Sequence, residues 1–76
     1  MREKIQQIVA ATLKLDENTT ISDQDDLKEY GLSSISMVTL ILALEKNFGI
    51  GINDDDLKLE YYESIENIIK VVEKYL

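Results

Sequence analysis

Gly31-Leu32-Ser33-Ser34-Ile35-Ser36-Met37-Val38-Thr39-Leu40-Ile41-Leu42-Ala43-Leu44-Glu45-Lys46-Asn47-Phe48-Gly49 is the stretch on which the reading of this chain turns. Ser33 is a suitable N-cap, and Ser34 to Phe48 carries a helical period. At about 100° per residue, Met37, Leu40, Ile41, Leu44 and Phe48 fall on one face. Ile35, Val38 and Leu42 gather on another, roughly 100–160° from Met37. A helix in a small bundle needs one apolar stripe. The longer cluster is expected to be the core face. The second is either buried too, as in a central helix, or a surplus apolar patch of the kind that marks an interaction site.

Working outward, two flanking segments repeat the helical period. Ile5, Ile8, Val9, Thr12 and Leu13 lie at the i, i+3, i+4 spacing of one buried face. Ile65, Ile68, Ile69, Val72 and Leu76 do the same after Ser64, a plausible N-cap, with Glu66, Lys70, Glu73 and Lys74 on the wet side. Between the first helix and the central one runs a long connection, Leu15 to Ser33. Loops beyond about 12–15 residues are uncommon in compact domains and usually have a task. Ile21, Leu27 and Tyr30 can pin it to the core. Ser22 with Asp25 is expected to cap a short turn through Asp26-Leu27-Lys28, which Gly31 ends. A further short helical piece is expected over Asn53 to Glu60, with Asn53 as cap. Asp54, Asp55 and Asp56 suit the positive end of its dipole, as solvated acids. The fold expected is all-α: three main helices, one short helix before the last, and a long first loop, in one domain over 1–76.

Composition narrows the functions. Seventy-six residues without cysteine or histidine exclude a disulfide framework, thiolate zinc sites and the usual general base near neutral pH. A chain this short buries about 60% of its unfolded surface, too little to wall off a deep active site as well. The acidic stretches fail as calcium loops: starting from Asp16, Ile21 stands where glycine is needed and Leu27 where glutamate is. Fifteen acids against eight bases give a net charge of −7. That charge opposes binding to nucleic acid or anionic membranes and favours basic patches on protein partners. No apolar run reaches the roughly 18 residues of a membrane span, and Met1-Arg2-Glu3-Lys4 leads into no signal-peptide core. A cytoplasmic monomer is the expectation.

Ser34 opens the second apolar face, in the first turn where unpaired amides and the helix dipole favour an anion. No side chain of the sequence is placed to activate it, and no Ser–His pair can form. Activation has to come from another protein.

The stretch Gly31-Leu32-Ser33-Ser34-Ile35, with Val38-Thr39-Leu40-Ile41-Leu42-Ala43-Leu44-Glu45-Lys46-Asn47-Phe48-Gly49-Ile50 after it, resembles the acyl carrier and peptidyl carrier protein family. In that family a modified serine starts the second helix after a long loop, three residues beyond a glycine and just before an aliphatic residue. The resemblance runs from the first helix to Leu76. It implies a non-enzymatic protein that holds acyl, aminoacyl or peptidyl groups as thioesters. They ride on a 4'-phosphopantetheine arm, transferred to Ser34 from coenzyme A by a phosphopantetheinyl transferase. Ser33, standing where many members have aspartate, and the first-turn amides would hold the phosphate. Ile35, Val38, Leu42 and Glu45 would meet partners: adenylating or acyltransferase enzymes and downstream synthase components. Ser36 precedes an apolar residue but lacks the glycine spacing.

Two departures from the fatty-acid type stand out. The exposed positions of the central helix are Ser36, Thr39 and Lys46, with only Glu45 acidic. Tyr61-Tyr62-Glu63-Ser64-Ile65 is similar to the aromatic-x-Ser/Thr-aliphatic lead into the last helix of aminoacyl and peptidyl carriers, although packing alone suffices for both tyrosines. Both lean towards a specialised pathway, polyketide, nonribosomal peptide or related. A fatty-acid-synthesis carrier and an unmodified acidic helical adapter are the alternatives.

Overall fold

A computed structural model describes all 76 residues. Three α-helices make up the architecture: α1 (Arg2–Leu13), α2 (Ser34–Phe48) and α3 (Ile65–Tyr75). There is no strand. α1 packs against both α2 and α3, and α3 receives the segment that precedes it. Ile5, Ile8 and Val9 from α1, Met37, Leu40, Ile41 and Leu44 from α2, and Ile65, Ile68, Val71 and Val72 from α3 meet in one core. Leu27, Leu32 and Tyr62 complete it from the connections.

The helices end where the sequence lets the backbone turn. α1 stops at Lys14, whose φ of 55° is left-handed and whose N–H reaches back to the carbonyls of Ala10 and Ala11. α2 stops at Gly49, with φ 64°, a conformation that glycine adopts at little steric penalty. α3 begins at Ser64, whose hydroxyl accepts the Asn67 amide at 3.1 Å.

The long first connection is fastened to α3 rather than left free. Leu27 is fully buried, its N–H donates to the Glu63 carbonyl at 2.7 Å, and the Glu66 N–H donates to the Asp23 carbonyl at 3.0 Å. Lys28 adds an ion pair to Glu63 at 2.9 Å. Ile21 and Tyr30 pack only partly against the core.

Several local expectations are corrected. The turn in the first connection is a 3-10 turn, Leu27–Tyr30, capped by the Asp26 carboxylate on the Lys28 amide. Asp25 instead accepts the Ser22 N–H one step earlier. No short fourth helix forms. Its place holds two 3-10 turns, Asp54–Asp56 and Leu59–Tyr62, and Asn53 makes no side-chain cap bond. In α3 the buried stripe centres on Ile68, so Val71 is inside while Ile69 is half-buried. Leu76 lies past the last turn and is 68% exposed. Phe48 is half-buried, with the Lys4 ammonium 5.5 Å from its ring centre.

Candidate functional site

The start of α2 is built by three serines and a glycine. Gly31 closes the preceding turn at φ 104°, its N–H turned back to the Leu27 and Lys28 carbonyls. Ser33 and Ser36 then form a reciprocal cap. The Ser33 N–H donates to the Ser36 hydroxyl at 2.8 Å, and the Ser36 N–H donates to the Ser33 hydroxyl at 3.4 Å. The Ser36 hydroxyl lies 3.3 Å from each of the Gly31 and Ser33 carbonyls. Both side chains are thus engaged in holding the helix end.

Ser34 stands between them, exposed, and its hydroxyl takes part in none of these bonds. The amides of Ser34 and Ile35 have no protein acceptor, as expected for the orphan donors of a first turn. No acid lies in that turn. An exposed hydroxyl beside two free N–H donors and no carboxylate is a good environment for a phosphodiester. The residues therefore fit a phosphate-linked group on Ser34. Its direct donors would be the amides of Ser34 and Ile35, with Ser33 as the cap that fixes the first turn.

Beyond the first turn the two faces of α2 separate cleanly. Met37, Leu40, Ile41 and Leu44 are buried, whereas Ile35 is 84%, Val38 53% and Leu42 61% exposed. The second apolar face is open to solvent. At its edge Val38 and Leu42 face Ile52 and Leu57 across a cavity of about 210 Å³. Glu45, expected on the partner-facing side, is half-buried. Its Oε2 accepts the Ile52 N–H at 2.8 Å and so anchors the chain after α2.

Asp56 is the functional-looking group that the pattern of residues hid. Within a run of three aspartates it alone is buried. Its carboxylate accepts from Lys74 Nζ at 2.7 Å and from the Tyr75 hydroxyl, while the Tyr62 hydroxyl donates to its carbonyl at 2.7 Å. The Asn53 N–H donates to Tyr75 at 3.1 Å. The Lys74 and Tyr75 donors hold the Asp56 carboxyl below the ordinary carboxylate range against the opposing effect of burial. Burial, with the Asp56 charge nearby, pushes the Tyr62 hydroxyl up to about 12. This cluster clamps residues 53–62 to α3. It presents no nucleophile with a base, and its role is structural.

A three-helix bundle with a long fastened first connection and an unengaged serine at the start of its second helix is the architecture of a carrier domain. The comparisons agree. A family described as the phosphopantetheine attachment site matches residues 3–72. The chain is 30% identical over 74 residues to the acyl carrier protein of Petrotoga mobilis, covering 97% of this chain and 85% of that protein. It is 32% identical over 71 residues to acyl carrier protein 2 of Pseudomonas aeruginosa, covering 93% and 87%. Among solved structures, a carrier protein from Agrobacterium tumefaciens is 36% identical with a TM-score of 0.84, the match covering 96% of this chain and 99% of that one. It was solved with an engineered Bradyrhizobium japonicum glycine:[carrier protein] ligase and AMP. The chain belongs to the phosphopantetheine-attachment family of carrier proteins. It is a non-catalytic carrier, and the family's cofactor is covalent 4'-phosphopantetheine. No helix is long and apolar enough to cross a membrane.

Proposed function

We propose that Ser34 is the attachment point of the arm. In that reading residues 1–76 act as one carrier domain, presenting acyl, aminoacyl or peptidyl groups to enzymes of a specialised pathway. The observation that carries the site is the division of labour among the serines: Ser33 and Ser36 are engaged with each other, and the exposed Ser34 alone keeps its hydroxyl unengaged, beside free amides. When bound, the arm supplies a thiol to a chain that has none. The protein's own contribution is to hold the linkage at the first turn and to offer Ile35, Val38 and Leu42 to whichever enzyme approaches. A phosphopantetheinyl transferase comes first, then an adenylating or acyltransferase enzyme.

The specialised pathway is supported by the lack of free acids along α2 and by the similarity to a carrier that forms a complex with an amino-acid ligase. A fatty-acid role is the second reading, favoured by the names of the curated relatives. Incubation with coenzyme A and a broad-specificity transferase should add one phosphopantetheine by intact mass. Ser34→Ala should abolish the addition, and Ser33→Ala and Ser36→Ala should retain it. Modification that survives Ser34→Ala would overturn the site. Charging of the product by a glycine:[carrier protein] ligase with glycine and ATP supports the specialised reading, whereas malonyl transfer in its absence supports the fatty-acid one.

A further inference from the structure

Between residues 53–62 and α3 lies another cavity, of about 200 Å³, that no residue of α2 lines. Asp56 and Tyr61 wall it on one side, and Asn67, Lys70, Val71 and Lys74 on the other. Its donors have bonds to spare. Three of the four tyrosine hydroxyls are engaged, Tyr30 with Asp25, Tyr62 with the Asp56 carbonyl and Tyr75 with the Asp56 carboxylate, whereas that of Tyr61 makes no hydrogen bond. Lys74 spends one of its three N–H donors, on Asp56 at 2.7 Å. Lys70 spends none, since the Glu66 carboxylate stands 3.7 Å away, beyond hydrogen-bond reach. The one carboxylate in the wall, Asp56, is already held by Lys74 and Tyr75. Lys58, its ammonium 5.8 Å from the centre of the Tyr61 ring, adds a further positive charge at the edge. A molecule of net charge −7 thus gathers three ammonium groups around one ring.

The rest of the lining is apolar: the buried Val71, the Tyr61 ring and the methylene stems of the lysines. An apolar cavity of about 150 Å³ admits a benzene ring, whereas drug-sized and cofactor-sized ligands take about 300 Å³ or more. We infer that this cavity binds a small organic carboxylate, an aromatic or branched-chain acid whose body rests on Val71 and Tyr61 and whose charge meets Lys70, Lys74 and the Tyr61 hydroxyl. Such a ligand touches two parts of the fold at once, because Tyr61 belongs to the connection and the lysines to α3. Its binding fastens residues 53–62 to α3 beside the Asp56 clamp, and makes the hold of that segment respond to the concentration of a free acid. The site is independent of whatever Ser34 carries.

The probe is sodium benzoate added to the unmodified chain, with nuclear magnetic resonance shifts as the readout. Sodium chloride at equal ionic strength and neutral benzamide are the controls. Benzoate should move the signals of Tyr61, Asn67, Lys70 and Lys74 to saturation, with a Kd on the order of millimolar. Neither control should do so. At about ten times that Kd, benzoate should lower the unfolding equilibrium constant about tenfold relative to chloride, read as a higher urea midpoint. Lys70→Gln and Tyr61→Phe should each raise Kd by about threefold or more. Lys70 is exposed and the Tyr61 hydroxyl is unengaged, so the ligand-free urea midpoints of both variants should stay near the parent value. Benzamide moving the same signals equally, a Kd unchanged by Lys70→Gln, or shifts that never saturate would each overturn the inference. So would benzoate shifts confined to Ser34 and Ile35, which would place the anion on the free amides that open α2. Each of these results leaves modification at Ser34 intact, whereas failure of the modification itself strikes the proposed function.

Discussion

The two apolar faces of α2 are made of the same residue types and meet opposite fates. Met37, Leu40, Ile41 and Leu44 face α1 and the segment before α3 and are buried, while Ile35, Val38 and Leu42 face solvent. Hydrophobicity does not distinguish them; only the neighbours supplied by the rest of the chain do. One face is taken up by the core and the other is left open to solvent.

The sharpest way to break that comparison is truncation on each side. Leu44→Ala removes a fully buried side chain and should lower stability by about 2–5 kcal/mol. Against a total on the order of 5–15 kcal/mol for a small domain, that leaves a large unfolded fraction. Leu42→Ala should stay within about 0.5 kcal/mol of the parent. Urea unfolding of both variants checks the pair, and equal losses would mean that the second face is covered in the folded molecule.

A smaller effect comes from the turn that precedes Ser34, the proposed attachment point. Gly31 has open space where a side chain would sit, but its φ of 104° lies in the left-handed half of the map. Gly31→Ala should therefore destabilise by about 1–2 kcal/mol through backbone strain alone. It should also slow modification of Ser34 more than any exposed substitution far along α2. Thermal melting and a loading time course read the two consequences separately.

The smallest expected effect concerns pH. The Asp56 carboxyl titrates lower in the folded chain than in the unfolded one. Its stabilisation is thus complete above the ordinary carboxylate value and is lost as pH falls through the folded value. Lys74 is raised by the same contact, so its share persists below the ordinary lysine value and is lost as pH rises through the folded one. Asp56→Asn should lower the midpoint at neutral pH and flatten the acid limb below about pH 4. An unchanged acid limb would show that the clamp contributes nothing to stability.

Much of this was legible in the amino-acid order. The three helices, the buried stripe of α1 and both faces of α2 follow from 3.6-residue periodicity, because each rests on many residues repeating one spacing. The place of Ser34 in the first turn of α2 was legible from Ser33 as the cap before it. What escaped rests on single long-range contacts. Nothing local separates Asp56 from Asp54 and Asp55; Lys74 and Tyr75, eighteen and nineteen positions on, pull it inside. The piece expected over Asn53–Glu60 splits because 3-10 turns of three or four residues leave no period to read. Glu45 looked free because its partner is a backbone amide, which every residue has.

The clamp on Asp56 also gives the molecule an optical signal of its own. There are four tyrosines and no tryptophan, so ultraviolet emission comes from phenols. A phenol that donates to a carboxylate is dimmed, because the excited ring passes its proton to the acceptor. Tyr75 is in that position against Asp56, and Tyr30 stands 3.1 Å from an Asp25 oxygen. Light from Tyr75 should brighten when residues 53–62 let go of α3, and a Tyr30→Phe variant removes the competing contribution. Motion of the segment that borders the exposed apolar face of α2 can then be followed in the unlabelled protein, in real time.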